Sequence, residues 1–187
     1  MKYFKKIVGD RLYLSPTSAE DVELFTQWLN DFQTTDYIGR SGYITTTLNE
    51  QEYLENRSKK DMASFCIVTL EEDKLIGTIS LEHIDLINRD AILGIFIGDG
   101  NYRNQGYGTE AIKLILDYGF NYLNLHSIKL DVMDFNQRAQ KCYQKCGFKE
   151  CGRRRECKYI NGKYYDIITM DILKDEFNGE YIRNKNI

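Results

Sequence analysis

Residues 95 to 111 read Ile-Phe-Ile-Gly-Asp-Gly-Asn-Tyr-Arg-Asn-Gln-Gly-Tyr-Gly-Thr-Glu-Ala: an apolar strand, a short polar loop with glycines, then the first turn of a helix. Glycines at 106 and 108 let the chain turn tightly, so that successive N–H groups and the positive end of the helix dipole point at one place. That arrangement is an anion cradle suited to a pyrophosphate, and it needs no lysine. Three other uses of a glycine loop fail on residue type. A nucleoside-triphosphate loop ends in Gly-Lys-Ser/Thr, whereas Gly108 is followed by Thr109-Glu110. A dinucleotide fingerprint has its three glycines at another spacing inside a parallel βαβ unit. A calcium loop requires an oxygen ligand and a glycine where Arg103 and Asn104 stand.

The flanking periodicity says what holds this loop. Arg11 to Leu14 alternates as a strand, and Ser15-Pro16-Thr17-Ser18 with Glu20, Asp21 and Glu23 opens a helix carrying Val22, Leu24, Phe25, Trp28 and Leu29. Phe32 to Thr47 is expected to be a functional surface loop, and Leu48 to Lys59 a mostly polar helix. Ala63 to Leu70, Leu75 to Ile84 and Asp90 to Gly98 then predict three antiparallel strands. Beyond Gly108 an amphipathic helix runs towards Asn124, Ser127 to Met133 forms a strand, and Gln137 to Cys146 forms a helix stopped by Gly147. Two closing strands, Phe148 to Tyr159 and Lys163 to Leu173, flank the hairpin signal Asn161-Gly162. The order is β, α, α, β, β, β, α, β, α, β, β, without repeats or low-complexity tracts.

Arg103-x-x-Gly106-x-Gly108, set between the fourth strand and the third helix, is followed in order by Leu130-Asp131-Val132, Asn136, Arg138-Ala139 and Cys142-Tyr143-Gln144-Lys145-Cys146-Gly147-Phe148. This succession resembles the GNAT superfamily of acyl-CoA-dependent N-acetyltransferases, and the ending from Gly162 to Met170 is similar to its ribosomal-protein and spermidine N-acetyltransferase branch. The resemblance implies one domain over residues 1–187 of α+β class, layered α/β/α. Its sheet would be mixed, mostly antiparallel and seven-stranded, with a splay between strands four and five. It implies acetyl-CoA as co-substrate. Pantetheine would lie in the splay against strand-four backbone around Phe96 and Ile97, and the pyrophosphate on the N–H groups of Arg103, Asn104, Gln105, Gly106, Tyr107, Gly108 and Thr109. Asn136 would hydrogen-bond the pantetheine. Tyr143 would bond or protonate the departing thiolate after direct attack by the amine in a ternary complex, with a strand-four N–H meeting the oxyanion.

An aliphatic amine, with a pKa of about 10.4, must lose a proton before it attacks. Many family members place a glutamate early on strand four for this; here the matching positions are Ile92 and Leu93. Glu82 on the neighbouring strand, with His83 or Asp85 at its end, is expected to relay the proton through water, and strand alternation decides which of Glu82 and His83 faces the cleft. The missing strand-four glutamate also admits a second reading, a non-catalytic acyl-CoA-binding regulatory or partner-binding module. Retention of Asn136 and Tyr143 favours the enzyme.

Composition narrows the partners. The chain has 187 residues, a formal net charge of −3 and one proline, and a pI near 5.5, so no global positive field exists for nucleic acid or an anionic membrane. No apolar run approaches the roughly 20 residues of a membrane span. The basic N-terminus breaks at Gly9-Asp10-Arg11 before a secretory core forms, and five cysteines are expected to be free thiols in a reducing, cytoplasmic setting. Their spacing does not suit zinc, and no metal is expected. Arg153, Arg154, Arg155 and Lys158 are expected to form surface charge pairs, with a CoA 3′-phosphate contact as the minority reading. The resemblance implies a small-molecule or peptide amine as acceptor, and its choice is expected to be set by the 32–43 loop, the first two helices and the Asn161 hairpin, with Trp28, Tyr37, Tyr43 and Tyr164. The edge of that hairpin could pair two subunits as a homodimer.

Overall fold

A computed structural model describes residues 2–60 and 63–184. One sheet runs through them in the order β1-β2-β3-β4-β5-β6-β8-β7. Its strands are β1 (Ile7–Val8), β2 (Leu12–Pro16), β3 (Ser64–Thr69), β4 (Leu75–Asp85), β5 (Asp90–Ile97), β6 (Ser127–Met133), β7 (Lys149–Ile160) and β8 (Lys163–Leu173). The helices are α1 (Val22–Leu29), α2 (Phe32–Thr35), α3 (Thr47–Lys60), α4 (Tyr107–Asn121) and α5 (Gln137–Lys145). The expected strands four and five are therefore β5 and β6.

The sheet has eight strands rather than the expected seven. The added one, β1, pairs Ile7 with Leu14 and Val8 with Tyr13. Two residues show no alternation, and Gly9-Asp10 looked like a break when it is a hairpin turn. The expected loop from Phe32 contains the short helix α2, started by Asp31, whose carboxylate accepts from Gln33 N–H at 3.0 Å.

Alternation on the central strands feeds two cores. On β3, Phe65 and Ile67 join the cluster under α4 and α5, while Cys66 and Val68 join the one under α1 and α3. This is why β3 reads as a nearly continuous apolar run. Helix α5 ends where Gly147 adopts φ 100° and Phe148 N–H returns to the Tyr143 carbonyl at 3.1 Å, which fixes the phase of Tyr143 on the helix.

All pairs are antiparallel except β5 with β6. That parallel pair holds only at Asp90–Ser127, Ala91–Ile128 and Ile92–Lys129, although β5 continues to Ile97 and β6 to Met133. Beyond Ile92 each strand keeps its outer partner, β5 with β4 and β6 with β8, so the sheet forks without leaving either strand unsupported.

Candidate active site

The fork opens into a cleft of about 670 Å³ that passes between β5 and β6 from the start of α4 to the space beneath α3. Which main-chain groups face it follows from two hydrogen bonds. Gly98 N–H donates to the Ile76 carbonyl at 2.9 Å, so the even positions of β5 turn their amides to β4, while the Arg89 carbonyl accepts from Ser127 N–H at 3.2 Å, so the odd positions turn towards β6. Leu93, Ile95 and Ile97 accordingly present main chain to the gap. Of the two strand residues expected there, Ile97 has its backbone on the gap side, whereas that of Phe96 faces β4 and its ring meets Trp28 edge-on at 6.2 Å.

At the start of α4, Gly106 adopts φ 87°, a left-handed conformation. Among the described residues, none of the six consecutive N–H groups from Asn104 to Thr109 has an acceptor; the next, Glu110 N–H, bonds the Gly106 carbonyl. A run of unpaired amides beside a positive helix end is an anion site. The side chains of this segment mostly point elsewhere. Arg103 donates to the Ile97 carbonyl at 2.9 Å, to the Gly98 carbonyl at 3.0 Å and to Thr34 Oγ1 at 2.8 Å, tying the loop to β5 and α2. Gln105 bonds the Asn101 carbonyl, and Tyr107 packs between Tyr102 and the Arg11 guanidinium.

Helix α5 supplies the opposite wall. Asn136 caps it, Oδ1 accepting from Ala139 N–H at 3.2 Å, and its Nδ2 has no acceptor among the described residues. Tyr143 is buried beside Phe148 and lines the cleft, and its hydroxyl has no partner among the described residues. Burial, then the neighbouring Cys142 and Cys146 sulfurs, push its pKa well above that of an ordinary phenol. Cys142 also lines the cleft, with Sγ 3.2 Å from Thr109 Oγ1; hydrogen bonds from Cys146 and then Thr109 draw its pKa below that of an ordinary thiol. Arg138, Lys141 and Lys145 line the cleft from one face of α5; the sequence reasoning noted the first and last only as part of the family's run and assigned none of them to the site. Their spacing of three and four residues was the available signal. Arg153 and Arg154, by contrast, are paired on the sheet with Asp166 at 2.7 Å and Asp131 at 2.8 Å.

The far end is built by β4, α3 and the loop after α2. Glu82 stands directly across the ladder from Ile92, and its Oε1 accepts from Arg57 at 2.8 Å and from Ser80 Oγ at 2.9 Å. A Cβ on Gly94 would lie 3.5 Å from that oxygen, which places Glu82 over the β5 edge of the fork. His83 sits in a bulge at φ 51° and is exposed, and Asp85 caps the next turn through Ile87 and Asn88 N–H. Of these three only Glu82 lines the cleft. Of the aromatic residues expected at the acceptor end only Tyr37 does so. Trp28 is in the core against Gly98, and Tyr43 and Tyr164 are exposed away from the cleft. Two more groups join the wall, the guanidinium of Arg40 from the loop expected to be functional and the carboxylate of Glu50, which the sequence reading did not single out.

An anion cradle, a forked sheet wide enough for a narrow arm and a protonated phenol along the way suit transfer from a phosphorylated thioester to an amine. Comparisons with known proteins agree. The model of the acetyltransferase (GNAT) domain family matches residues 11–149. The probable N-acetyltransferase YjcK of Bacillus subtilis is 32% identical over 178 residues, 90% of this chain and 97% of that protein. A spermidine N(1)-acetyltransferase of Vibrio cholerae is 36% identical over 132 residues, 70% of this chain and 76% of that protein. The crystal structure of spermidine N-acetyltransferase from Vibrio cholerae in complex with CoA and spermine superimposes with a TM-score of 0.79 at 32% identity, over 88% of this chain and 96% of that one. With a forked sheet, a free-amide cradle and a match over most of its length, the chain belongs to the GNAT family of N-acetyltransferases, whose acyl donor is acetyl-CoA.

Proposed function

We propose that the chain, acting as one domain over residues 1–187 in the cytoplasm, acetylates the primary amine of a small molecule by direct attack in a ternary complex. Bound acetyl-CoA supplies the activated thioester. The unpaired amides from Asn104 to Thr109 hold its pyrophosphate, and Arg138, Lys141 and Lys145 add positive charge at the mouth. Main-chain groups of Leu93, Ile95 and Ile97 and the free Nδ2 of Asn136 orient the arm within the fork. An amide on that same strand edge meets the oxyanion. Tyr143, whose hydroxyl has no partner among the described residues, donates a proton to the thiolate as it leaves. Glu82, set on β4 beside the Ile92 position, takes the amine proton through water.

The observation that carries this reading is the run of six unpaired N–H groups at the mouth of a fork. Thiol release from acetyl-CoA, followed with a panel of polyamines, amino sugars, amino acids and peptides, tests it. Amine-dependent release is expected. Release with none of them, from protein that binds CoA, would leave only the binding function.

A further inference from the structure

The acceptor end of the cleft carries two carboxylates, Glu50 and Glu82, and two guanidinium groups, Arg40 and Arg57. Glu82 and Arg57 are joined at 2.8 Å. Glu50 and Arg40 are not joined to anything: among the described residues neither side chain takes part in a hydrogen bond or in an ion pair within 4 Å, although the positive charge of Arg40 acts on Glu50. Glu50 is only 4% exposed. Its side chain is packed into the wall, and its carboxylate, to which no described residue donates, opens on the cleft. Burial pushes its pKa up, against the pull of Arg40 and Arg57. Arg40, on the loop after α2, reaches the same cavity from the exposed side.

One cavity thus carries a negative group and a positive group that, among the described residues, have no hydrogen-bond or ion-pair partner and are not bonded to each other. Such a wall is complementary to a molecule bearing both charges and poorly matched to one bearing positive charge alone. A polycation would bring ammonium groups beside two guanidinium groups, with one of the two carboxylates already committed to Arg57. We propose that the acceptor is an amine that also carries an anionic group, a carboxylate or a phosphate, with its ammonium received by Glu50 and its anion by Arg40. This rests on the N-acetyltransferase reading and gives the acceptor a chemical class. It also separates the chain from its relatives named for spermidine.

The test compares matched acceptors on the full chain with saturating acetyl-CoA: an amino acid against its amide, an amino sugar phosphate against the free amino sugar, and spermidine. The anionic member of a pair is expected to exceed its neutral partner in kcat/KM by about ten-fold or more. Whichever pair shows the larger ratio identifies the anion. Arg40→Gln should collapse that ratio towards one, because kcat/KM falls much further for the anionic member of each pair than for its neutral partner. Glu50→Gln should raise KM for every amine, leave KM for acetyl-CoA unchanged, and hold or raise the thermal midpoint, since it removes a buried charge. A structural role for Glu50 would lower that midpoint instead. Turnover of spermidine and neutral amines ahead of anionic ones, or an unchanged ratio in Arg40→Gln, overturns the inference and leaves acetyl transfer standing. No thiol release with any amine, from protein that binds CoA, overturns both.

Discussion

Tyr143 joins a structural place to the chemical one proposed for it. Its ring is packed against Phe148 in the main core, so a substitution that keeps the ring keeps the packing. Its hydroxyl has no partner among the described residues, so the variant removes no hydrogen bond within them. Tyr143→Phe is therefore expected to lower kcat by about 100-fold, the low end of what general acid catalysis contributes. KM for acetyl-CoA and the unfolding midpoint should hardly change. A steady-state pH profile sharpens the test. Because burial and the adjacent sulfurs raise its pKa, Tyr143 stays protonated throughout the neutral and mildly alkaline range, and no alkaline limb of activity belongs to it. The variant should trace the same profile at a lower level. For stability the sign is fixed by the same shift. The raised folded-state value means a contribution fully present below the ordinary tyrosine pKa of about 10 and lost as pH rises through the folded value. A Tyr143→Phe enzyme with undiminished kcat would assign thiolate protonation elsewhere.

Helix α4 works only if its first turn is held against the sheet, and Glu110 does the holding. Its Oε1 accepts from the N–H groups of Asp10 and Arg11 at 2.8 Å each and of Leu12 at 3.3 Å, clamping the β1–β2 turn to the helix that forms the cradle. Glu110→Ala leaves those amides unpaired and is expected to cost about 2–3 kcal/mol, read as a lower denaturant midpoint with unchanged slope. CoA affinity should fall as well, and a variant as stable as the parent would mean that water replaces the carboxylate. The cradle itself was legible in the sequence because Gly106 and Gly108 are spaced for a turn before a strongly periodic helix. What escaped depended on departures from period. The chain alternates along β4 as far as Glu82, which keeps the phase of Ser80 opposite Ile92 and so faces the cleft, while His83 falls in the bulge that follows at φ 51°; the phase is set by β5 and not by the local sequence. The assignment of Phe96 and Ile97 depended on ladder phase, which is set by partners distant in sequence. Glu50 looked like one more charge on a polar helix, and only the packing of α3 over the sheet buries it. The same holds for β1, whose two residues acquire meaning from β2 alone.

A chain of net charge −3 has to attract a co-substrate that is itself strongly anionic, so global electrostatics works against the encounter and local charge must reverse it. The reversal lies on α5. Arg138, Lys141 and Lys145 share the helix face at the cleft mouth, and among the described residues no carboxylate forms an ion pair with any of them. Three cations without a carboxylate partner line the same cleft as the free amides of α4 and give its mouth a local positive field in a chain of net negative charge, a field that salt screens over a Debye length of about 8–10 Å. Two consequences can be separated by experiment. In the parent enzyme, KM for acetyl-CoA should rise with ionic strength. In Lys141→Gln/Lys145→Gln it should start about five- to twenty-fold higher and depend less on salt, with kcat unchanged because neither lysine touches the reacting atoms. Dephospho-CoA used as an inhibitor then locates the contact. If the lysines meet the 3′-phosphate, the double variant binds CoA and dephospho-CoA equally, whereas the parent prefers CoA. If both proteins keep the same preference, the field acts on the pyrophosphate, and the cradle amides hold that group with lysine assistance rather than alone.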